Sequence, residues 1–334
     1  MITYSIIIVN YKAPELVIDC LETIVTSNSG SDFEIIVVDN FSEDESERII
    51  KSKFPRLRWL QMGYNSGFSR ANNAGIRVAN GEIILLLNSD TLNQDNAIAR
   101  CVERFSASDY VGCGVQLLNS DRSPQISGNY FMTGGLNQLL MLPFVGRLLK
   151  WLANKFRVKK TNVPEAKGTV EVDWINGAFL MVKKKAIEQA GLLDEDFFLY
   201  FEEIEWCARL RKVGKLCVYG DLHLVHFMGV TADKTFDSAS KGYNNLFDRK
   251  GLQIMVSALL RVRKQYGVGW FLFHLLIYLA TTPLLLVVVV LTFPFKTQYG
   301  YSLKQFFGFA GNCIKLLSFI PRMFINKPYF YKAR

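Results

Sequence analysis

The chain has 334 residues, of which 50% are hydrophobic, 13% aromatic and 21% charged. That is enough for one large core or two ordinary ones, and it excludes a disordered chain, which would be poor in aromatics. The formal net charge of +9 is uneven: residues 241–334 hold 13 Lys or Arg against one acid, Asp248, while residues 1–240 hold 26 against 29 acids.

The opening MITYSIIIVNYK has no basic n-region, and its apolar run is too short for a signal peptide. Residues 4–9 (YSIIIV) read instead as a strand buried on both faces. Apolar residues at helical spacing follow over 14–26. A second strand at 33–38 (FEIIVV) ends in Asp39 and Asn40. A helix is expected over 43–53, a third strand over 57–61 and a helix over 69–79. A fourth strand, 82–87 (EIILLL), ends in Asn88, Ser89 and Asp90. Strands alternating with helices imply an α/β fold with a mostly parallel sheet. Such sheets bind ligands beyond the carboxyl ends of their strands, and Asn10, Tyr11, Asp39, Asn40, Asn88, Ser89 and Asp90 all fall there.

Residues 136–157 mix Leu, Phe and Trp with Arg147, Lys150, Lys155 and Arg157. They suit either a surface helix packed on the core or an interfacial one. Residues 159–167 (KKTNVPEAK) are expected to form a mobile loop. The six cysteines form no CxxC pair and no zinc spacing, so buried free thiols are expected.

From 267 to 295 no residue is formally charged, a run long enough to span a bilayer once. Pro283 near its middle would kink or turn a helix. Both flanks are basic, which the positive-inside rule assigns to the same side. A helical hairpin with arms near 269–282 and 284–295 is therefore favoured over a single span. Residues 303–324, with Lys304, Lys315 and Arg322 among Phe and Leu, read as an amphipathic helix at the lipid interface. The expected division is a catalytic domain, 1–240, and a basic, membrane-associating helical region, 241–334. An uncharged stretch between the basic residues disfavours nucleic acid as a partner.

The GxG of Gly112-Cys113-Gly114 does not extend to GxGxxG, and no Walker GxxxxGK[ST] occurs. Dinucleotide and P-loop readings therefore lose their warrant. Asp90 at a strand end suits Mg²⁺ or Mn²⁺, hard cations bound through one or two carboxylates and substrate phosphates. It suits a helix cap equally.

Seven segments in order carry a resemblance: VNY (9–11), VVDN (37–40), NSGFSRANNAGI (65–76), LLLNSDT (85–91), WINGAFLMVKKKA (174–186), FFLYFEEIEWCARLRKVG (197–214) and HFMGVT (226–231). Together they resemble the family 2 glycosyltransferases of the GT-A fold, in particular the rhamnosyltransferase-like branch, over about residues 1–235. The resemblance implies a nucleotide-sugar half, 1–120, and an acceptor half, 121–240. It sets Asn10 and Tyr11 against the nucleotide base, and Asp39 on the pyrimidine with Asn40 beside it. Gly67, Arg70, Ala71 and Asn72 fall in the segment that wraps the nucleoside. Asn88, Ser89 and Asp90 stand at the DxD-type motif, with Asn for the first acid and Asp90 left as its metal ligand. His226 matches a histidine that adds a contact to the metal, Mg²⁺ or Mn²⁺, or to the diphosphate. Trp174, Asn176 and Gly177 belong beside the reacting sugars. Glu203 takes the place of the family's catalytic Asp, with Glu202 as the alternative base. The acids at 202, 203 and 205 also suit a helix N-terminus. His223 is expected to be structural.

The activity so implied is an inverting, non-processive transfer, since the QxxRW signature of processive synthases is absent. The donor is expected to be dTDP-rhamnose rather than a UDP- or GDP-sugar. The acceptor is expected to be a lipid-diphosphate-linked saccharide at the cytoplasmic face of a bacterial inner membrane, in surface polysaccharide synthesis. The Glu-for-Asp change leaves open an inactive, membrane-anchored scaffold that only binds sugar nucleotide.

Overall fold

A computed structural model describes residues 2–27, 32–132, 135–227, 229, 236, 238, 245–292 and 300–333. The chain forms two compact units. One comprises Met1–Met132, Thr161–Glu195 and Glu202–Thr231, the other Thr133–Lys160, Asp196–Phe201 and Ala232–Arg334. A single cut near 240 therefore does not describe them. Leu139, Leu142 and Phe197 belong to the core built by the basic C-terminal part, and they carry their segments into that unit.

The first unit begins with β1 (Tyr4–Asn10), α1 (Pro14–Ser27), β2 (Phe33–Asp39), α2 (Ser46–Lys53), β3 (Arg58–Gln61), α3 (Gly67–Val78) and β4 (Ile83–Leu87). The four strands are parallel in the order β3-β2-β1-β4. The runs of β1, β2 and β4 are largely apolar because both faces are covered, whereas β3 (RWLQ) is the partly exposed edge strand. Ile6, Ile8 and Leu85 enter one core, while Ile7, Ile36 and Leu86 enter the other. α2 starts later than its apolar pattern suggests, because Phe41 and Glu43 hold φ of +69° and +55°, outside the helical region.

β5 (Thr91–Asn93), α4 (Ala97–Ser106), β6 (Gly112–Leu118) and β7 (Gly128–Asn129) follow. The chain then passes through α5 (Val145–Lys155) of the second unit. It returns as β8 (Thr169–Val172), β9 (Trp174–Ile175), β10 (Phe179–Lys183), α6 (Lys184–Ala190), α7 (Glu202–Leu210) and β11 (Leu216–His226). β10 runs antiparallel between β4 and β6, β11 is parallel to β6, and β5 and β8 pair antiparallel with β11. The α/β sheet is thus mostly parallel, as expected, with three reversed strands. The loop expected around 159–167 is packed rather than loose. Val163 and Ala166 are buried, and the Ala166 N–H donates to Gln116 Oε1 at 2.7 Å. All six cysteines are buried free thiols.

In the second unit, residues 136–157 are not one helix. A 3-10 turn (Leu136–Met141) is separated from α5 by Pro143 and by Phe144 at φ +61°. α8 (Arg249–Thr292), α9 (Leu303–Leu317) and α10 (Ile320–Phe324) follow, α9 opening on a capping box between Ser302 and Gln305. α8 is broken at Gly267 (φ +85°) and then runs on through Pro283. The hairpin turn expected at Pro283 is therefore not there. Proline removes one backbone donor, which a helix can absorb as a kink, whereas the left-handed φ that breaks this helix falls on glycine, which has no Cβ to clash. Residues 293–295 of the expected second arm lie outside the described residues. Among those described, α8 is the one helix long and apolar enough to cross a membrane.

Candidate active site

Every site residue singled out in the sequence lies in the first unit. β1 ends at Asn10 and β2 at Asp39, paired across the sheet. Asn10 Nδ2 donates to Asp39 Oδ1 at 2.7 Å and to Ser42 Oγ at 3.2 Å. Ser42 Oγ donates to Asp39 Oδ1 at 2.5 Å, and the Ser42 N–H to Oδ2 at 2.9 Å. Gln61 Nε2 donates to Oδ2 at 2.8 Å. The buried Asp39 carboxylate thus receives two donors on each oxygen. Gln61, at the end of β3, is the exposed member of the set. No local signal marked Ser42 or Gln61, because their meaning comes from the carboxylate they meet.

Asn40 Oδ1 accepts from the Ser66 N–H at 2.8 Å and from Ser66 Oγ at 2.7 Å, which fixes the start of α3 at Gly67 (φ +74°). Arg70 Nε donates to the Glu195 carbonyl at 3.1 Å, and its Nη1 to Tyr64 Oη at 2.8 Å. Burial alone would raise the Glu195 carboxyl. Bonds from Arg77 and Asn73 and the charges of Arg77 and Arg70 outweigh it and hold that carboxyl below the ordinary range. Asn72 is buried, and its amide donates to the Phe68 carbonyl one turn back at 3.0 Å, so that donor is spent inside α3. Tyr11 is half-buried, with Lys12 Nζ 5.7 Å from its ring centre.

Beyond β4 the chain passes Asn88, Ser89 and Asp90 into β5, whose Thr91 opposes His226 of β11. The Phe227 N–H donates to the Asp90 carbonyl at 2.9 Å. Asp90 and His226 are both buried, with Asp90 Oδ1 3.4 Å from His226 Nε2. His226 Nδ1 lies 2.9 Å from Gln125 Oε1. Gln125 Nε2 donates to the His226 carbonyl at 2.7 Å and to Asn119 Oδ1 at 2.9 Å, which fixes the amide orientation. Its oxygen therefore accepts from Nδ1–H. Nε2 has no hydrogen-bond partner among the described residues and lies beside the Asp90 carboxylate. A neutral imidazole so held would offer Nε2 to a cation beside that carboxylate, and the glutamine orients the ring as a supporting partner does at metal-binding histidines. No group of three or more metal-type side chains occurs among the described residues. Further ligands would come from water and substrate phosphate, as hard cations accept. His223 is exposed.

The three acids of α7 have separate environments. Glu202 is buried, and its Oε2 has no partner among the described residues. Burial, and then the neighbouring Glu203 charge, push its carboxyl well above the usual range and favour the neutral form. Glu203 is half-exposed. Glu205 is held by Arg209, whose Nε donates to its two oxygens at 2.8 and 3.0 Å and whose Nη2 donates at 2.7 Å. The turn after β9 passes directly beside Glu203: a Cβ on Gly177 would stand 3.3 Å from Glu203 Cβ and Cγ. Asn176 steadies this turn, accepting from the Ala178 N–H at 3.0 Å and donating to the Ile126 carbonyl at 3.2 Å. Trp174 is half-buried on β9, and its indole N–H has no partner among the described residues.

A mostly parallel sheet with polar strand ends, a carboxylate–histidine pair suited to a cation and an accessible glutamate define an α/β domain of the GT-A class. Residues 5–164 match the model for Glycosyl transferase family 2, and that segment belongs to the family. It is 31% identical over 232 residues to the low-salt glycan biosynthesis hexosyltransferase Agl10 of Haloferax volcanii, covering 66% of each chain. It is 25% identical over 201 residues to the N-acetylglucosaminyl-diphospho-decaprenol L-rhamnosyltransferase of Mycobacterium tuberculosis, covering 55% of this chain and 63% of that one. It is 24% identical over 230 residues to the dTDP-rhamnosyl transferase RfbF of Shigella flexneri, covering 67% of this chain and 68% of that one. The chain thus spans just under two thirds of the length of the first two relatives.

Proposed function

We propose that the chain is an inverting hexosyltransferase that moves a sugar from a nucleoside diphosphate to a saccharide hydroxyl. The observation that carries this reading is the buried Asp90–His226 pair, whose Oδ1 and Nε2 lie 3.4 Å apart beyond the end of β4. Asp90, His226 and substrate phosphate would hold a divalent cation, which when bound neutralises the charge that builds on a departing diphosphate. Asp39, Asn10 and Asn40 orient the nucleoside, with Gln61 yielding its place on Asp39 to the base. Arg70 and the backbone at Gly67 line the same edge.

Glu203 is the base. Its neighbour Glu202 is buried and favours the uncharged form, whereas Glu203 is half-exposed. Glu203 takes the proton of the acceptor hydroxyl. The oxygen bonds to the anomeric carbon as the bond from that carbon to the diphosphate oxygen breaks, and the electron pair leaves with the diphosphate. One displacement inverts the anomeric centre. Trp174, Asn176 and Gly177 shape the acceptor side.

The donor we favour is dTDP-rhamnose, supported by two relatives named as rhamnosyltransferases. The acceptor we favour is a lipid-diphosphate-linked saccharide at a cytoplasmic membrane face. The name of the mycobacterial relative and the apolar length of α8 support it. Calorimetric titration of purified protein with dTDP, UDP and GDP, with and without Mn²⁺, tests the reading beside Asp90→Ala. Metal-dependent binding of dTDP that the variant loses is the expected result. Preference for UDP or GDP would replace the donor, and no binding of any of the three would overturn the transferase reading.

A further inference from the structure

Beyond Gly267, residues 268–292 have two faces. Phe271, His274, Tyr278, Thr281, Leu285 and Val289 are buried at helical spacing along the whole stretch. The other face exposes Leu272, Leu276, Leu279, Leu286, Val290 and similar residues, with no charge among them.

The buried face enters the apolar core of this unit along its whole length, with Phe309, Cys313 and Leu316 of α9 in the same core, and it also makes polar contacts. His274 Nε2 lies 2.7 Å from the Gly135 carbonyl oxygen. At the middle of the stretch, Thr282 Oγ1 donates to Cys313 Sγ at 3.5 Å. The adjacent Asn312 donates its amide to the Leu246 and Asp248 carbonyls at 3.0 and 2.7 Å. The Asp248 carboxylate in turn accepts from Ser238 Oγ, Asn245 Nδ2 and the Gly251 N–H. The main chain of the residue that bears this carboxylate is thus hydrogen-bonded to the neighbour of Cys313, the residue met at the middle of the apolar stretch. In a spanning helix that point would sit at the bilayer centre, where an ionisable group is most costly.

We propose that residues 268–292 lie in the plane of an anionic lipid surface, with the outer face in the acyl boundary and the inner face on this unit, and do not cross it. The occupant is lipid rather than a second copy of the chain because of charge. Residues 241–334 carry 13 basic residues against one acid, with Lys304 and Lys315 exposed on α9 beside Phe307 and Ile314. Like charges repel a second copy, whereas anionic headgroups complement them. This inference stands whether or not the transferase reading does.

The test uses the full chain on vesicles of phosphatidylcholine and phosphatidylglycerol. Nitroxide labels are placed at Leu272→Cys, Leu279→Cys, Leu286→Cys and Val290→Cys, since the native thiols are buried. Depth is read by power saturation with oxygen and a nickel chelate. All four labels are expected at one shallow depth, with binding at least tenfold weaker on phosphatidylcholine alone. A spanning helix would separate the first and last labels by about 27 Å in depth, at 1.5 Å per residue. That gradient would overturn the inference. So would labels that stay out of lipid, or that are shielded without vesicles by a second copy.

Discussion

Replacing Asp39 by Asn tests whether the strand-end network is held by one carboxylate. The buried Asp39 side chain receives Asn10 Nδ2 and Ser42 Oγ on Oδ1, and the Ser42 N–H and Gln61 Nε2 on Oδ2. An asparagine amide supplies one oxygen and one NH₂. With the NH₂ at the Oδ2 place it opposes the Ser42 N–H, which cannot turn. With the NH₂ at the Oδ1 place, Ser42 Oγ can rotate to accept, and only Asn10 Nδ2 is left in conflict. The second arrangement costs less and is the one expected. It loses one hydrogen bond to a charged acceptor, worth about 1.5–3 kcal/mol, and strands a buried donor at about 1–3 kcal/mol. Ser42 Oγ also accepts from the Lys12 N–H at 2.9 Å and cannot take both amides, so Asn10 stays in conflict and the net loss should be about 2.5–6 kcal/mol. The assay is urea unfolding followed by tryptophan fluorescence, since Trp59 Nε1 donates to Gln61 Oε1 at 3.3 Å and reports on this edge. Gln61→Ala is the control, expected below about 1 kcal/mol because Gln61 is exposed. An Asp39→Asn loss no larger than that of the control would refute the reasoning.

Glu202→Gln should stabilise the protein as pH rises. Folding raises the affinity of Glu202 for a proton, so this group costs nothing below its unfolded value and destabilises increasingly as pH climbs toward its raised folded value. Thermal melts of wild type and variant at pH 4 and pH 8 should therefore coincide at the lower pH and separate at the higher. In transfer assays Glu203→Gln should lose about 10²–10⁴-fold in kcat, while Glu202→Gln keeps most of it, and the reverse order would exchange their roles. Gly177→Ala crowds Glu203 and should lower kcat about ten- to a hundredfold with nucleotide affinity unchanged, which calorimetry and initial rates separate. Gln125→Leu removes the partner of His226 Nδ1 and should weaken Mn²⁺ binding about 10–100-fold in a titration with dTDP present.

The first four strands were legible because each is a short, mostly apolar run closed by polar residues, and the structure puts them within a residue of where the pattern does. Asp39 and Asp90 stood out because a carboxylate at a strand end is visible locally, whereas Glu203 was singled out by the family resemblance. What the carboxylates bind to was not legible. Gln61 and Gln125 are ordinary polar residues in sequence and become informative only once β3 lies beside β2 and β11 beside β6. The pairing of residues 196–201 and 136–157 with the basic tail was hidden for the same reason. Apolar residues announce that they will be buried but not against which segment. Pro283 misled because its effect on a helix depends on what packs around it, whereas Gly267 sits at a φ that sequence alone does not reveal.

β5 is three residues long, yet it joins Asp90 to His226 by pairing with the far end of β11. The strands between them in sequence, β6 and β10, are also between them and β4 in the sheet. During synthesis the chain up to β4 can assemble its parallel strands early, from neighbouring segments. Asp90 and His226 meet only after β11 has emerged and docked, a long-range closure of the kind that folds slowly. The proposed cation site would thus be the last part of the sheet to form on the ribosome-borne chain. A nascent chain that stops before β11 would lack that site, and any Mn²⁺ affinity should be acquired only when the sheet is complete.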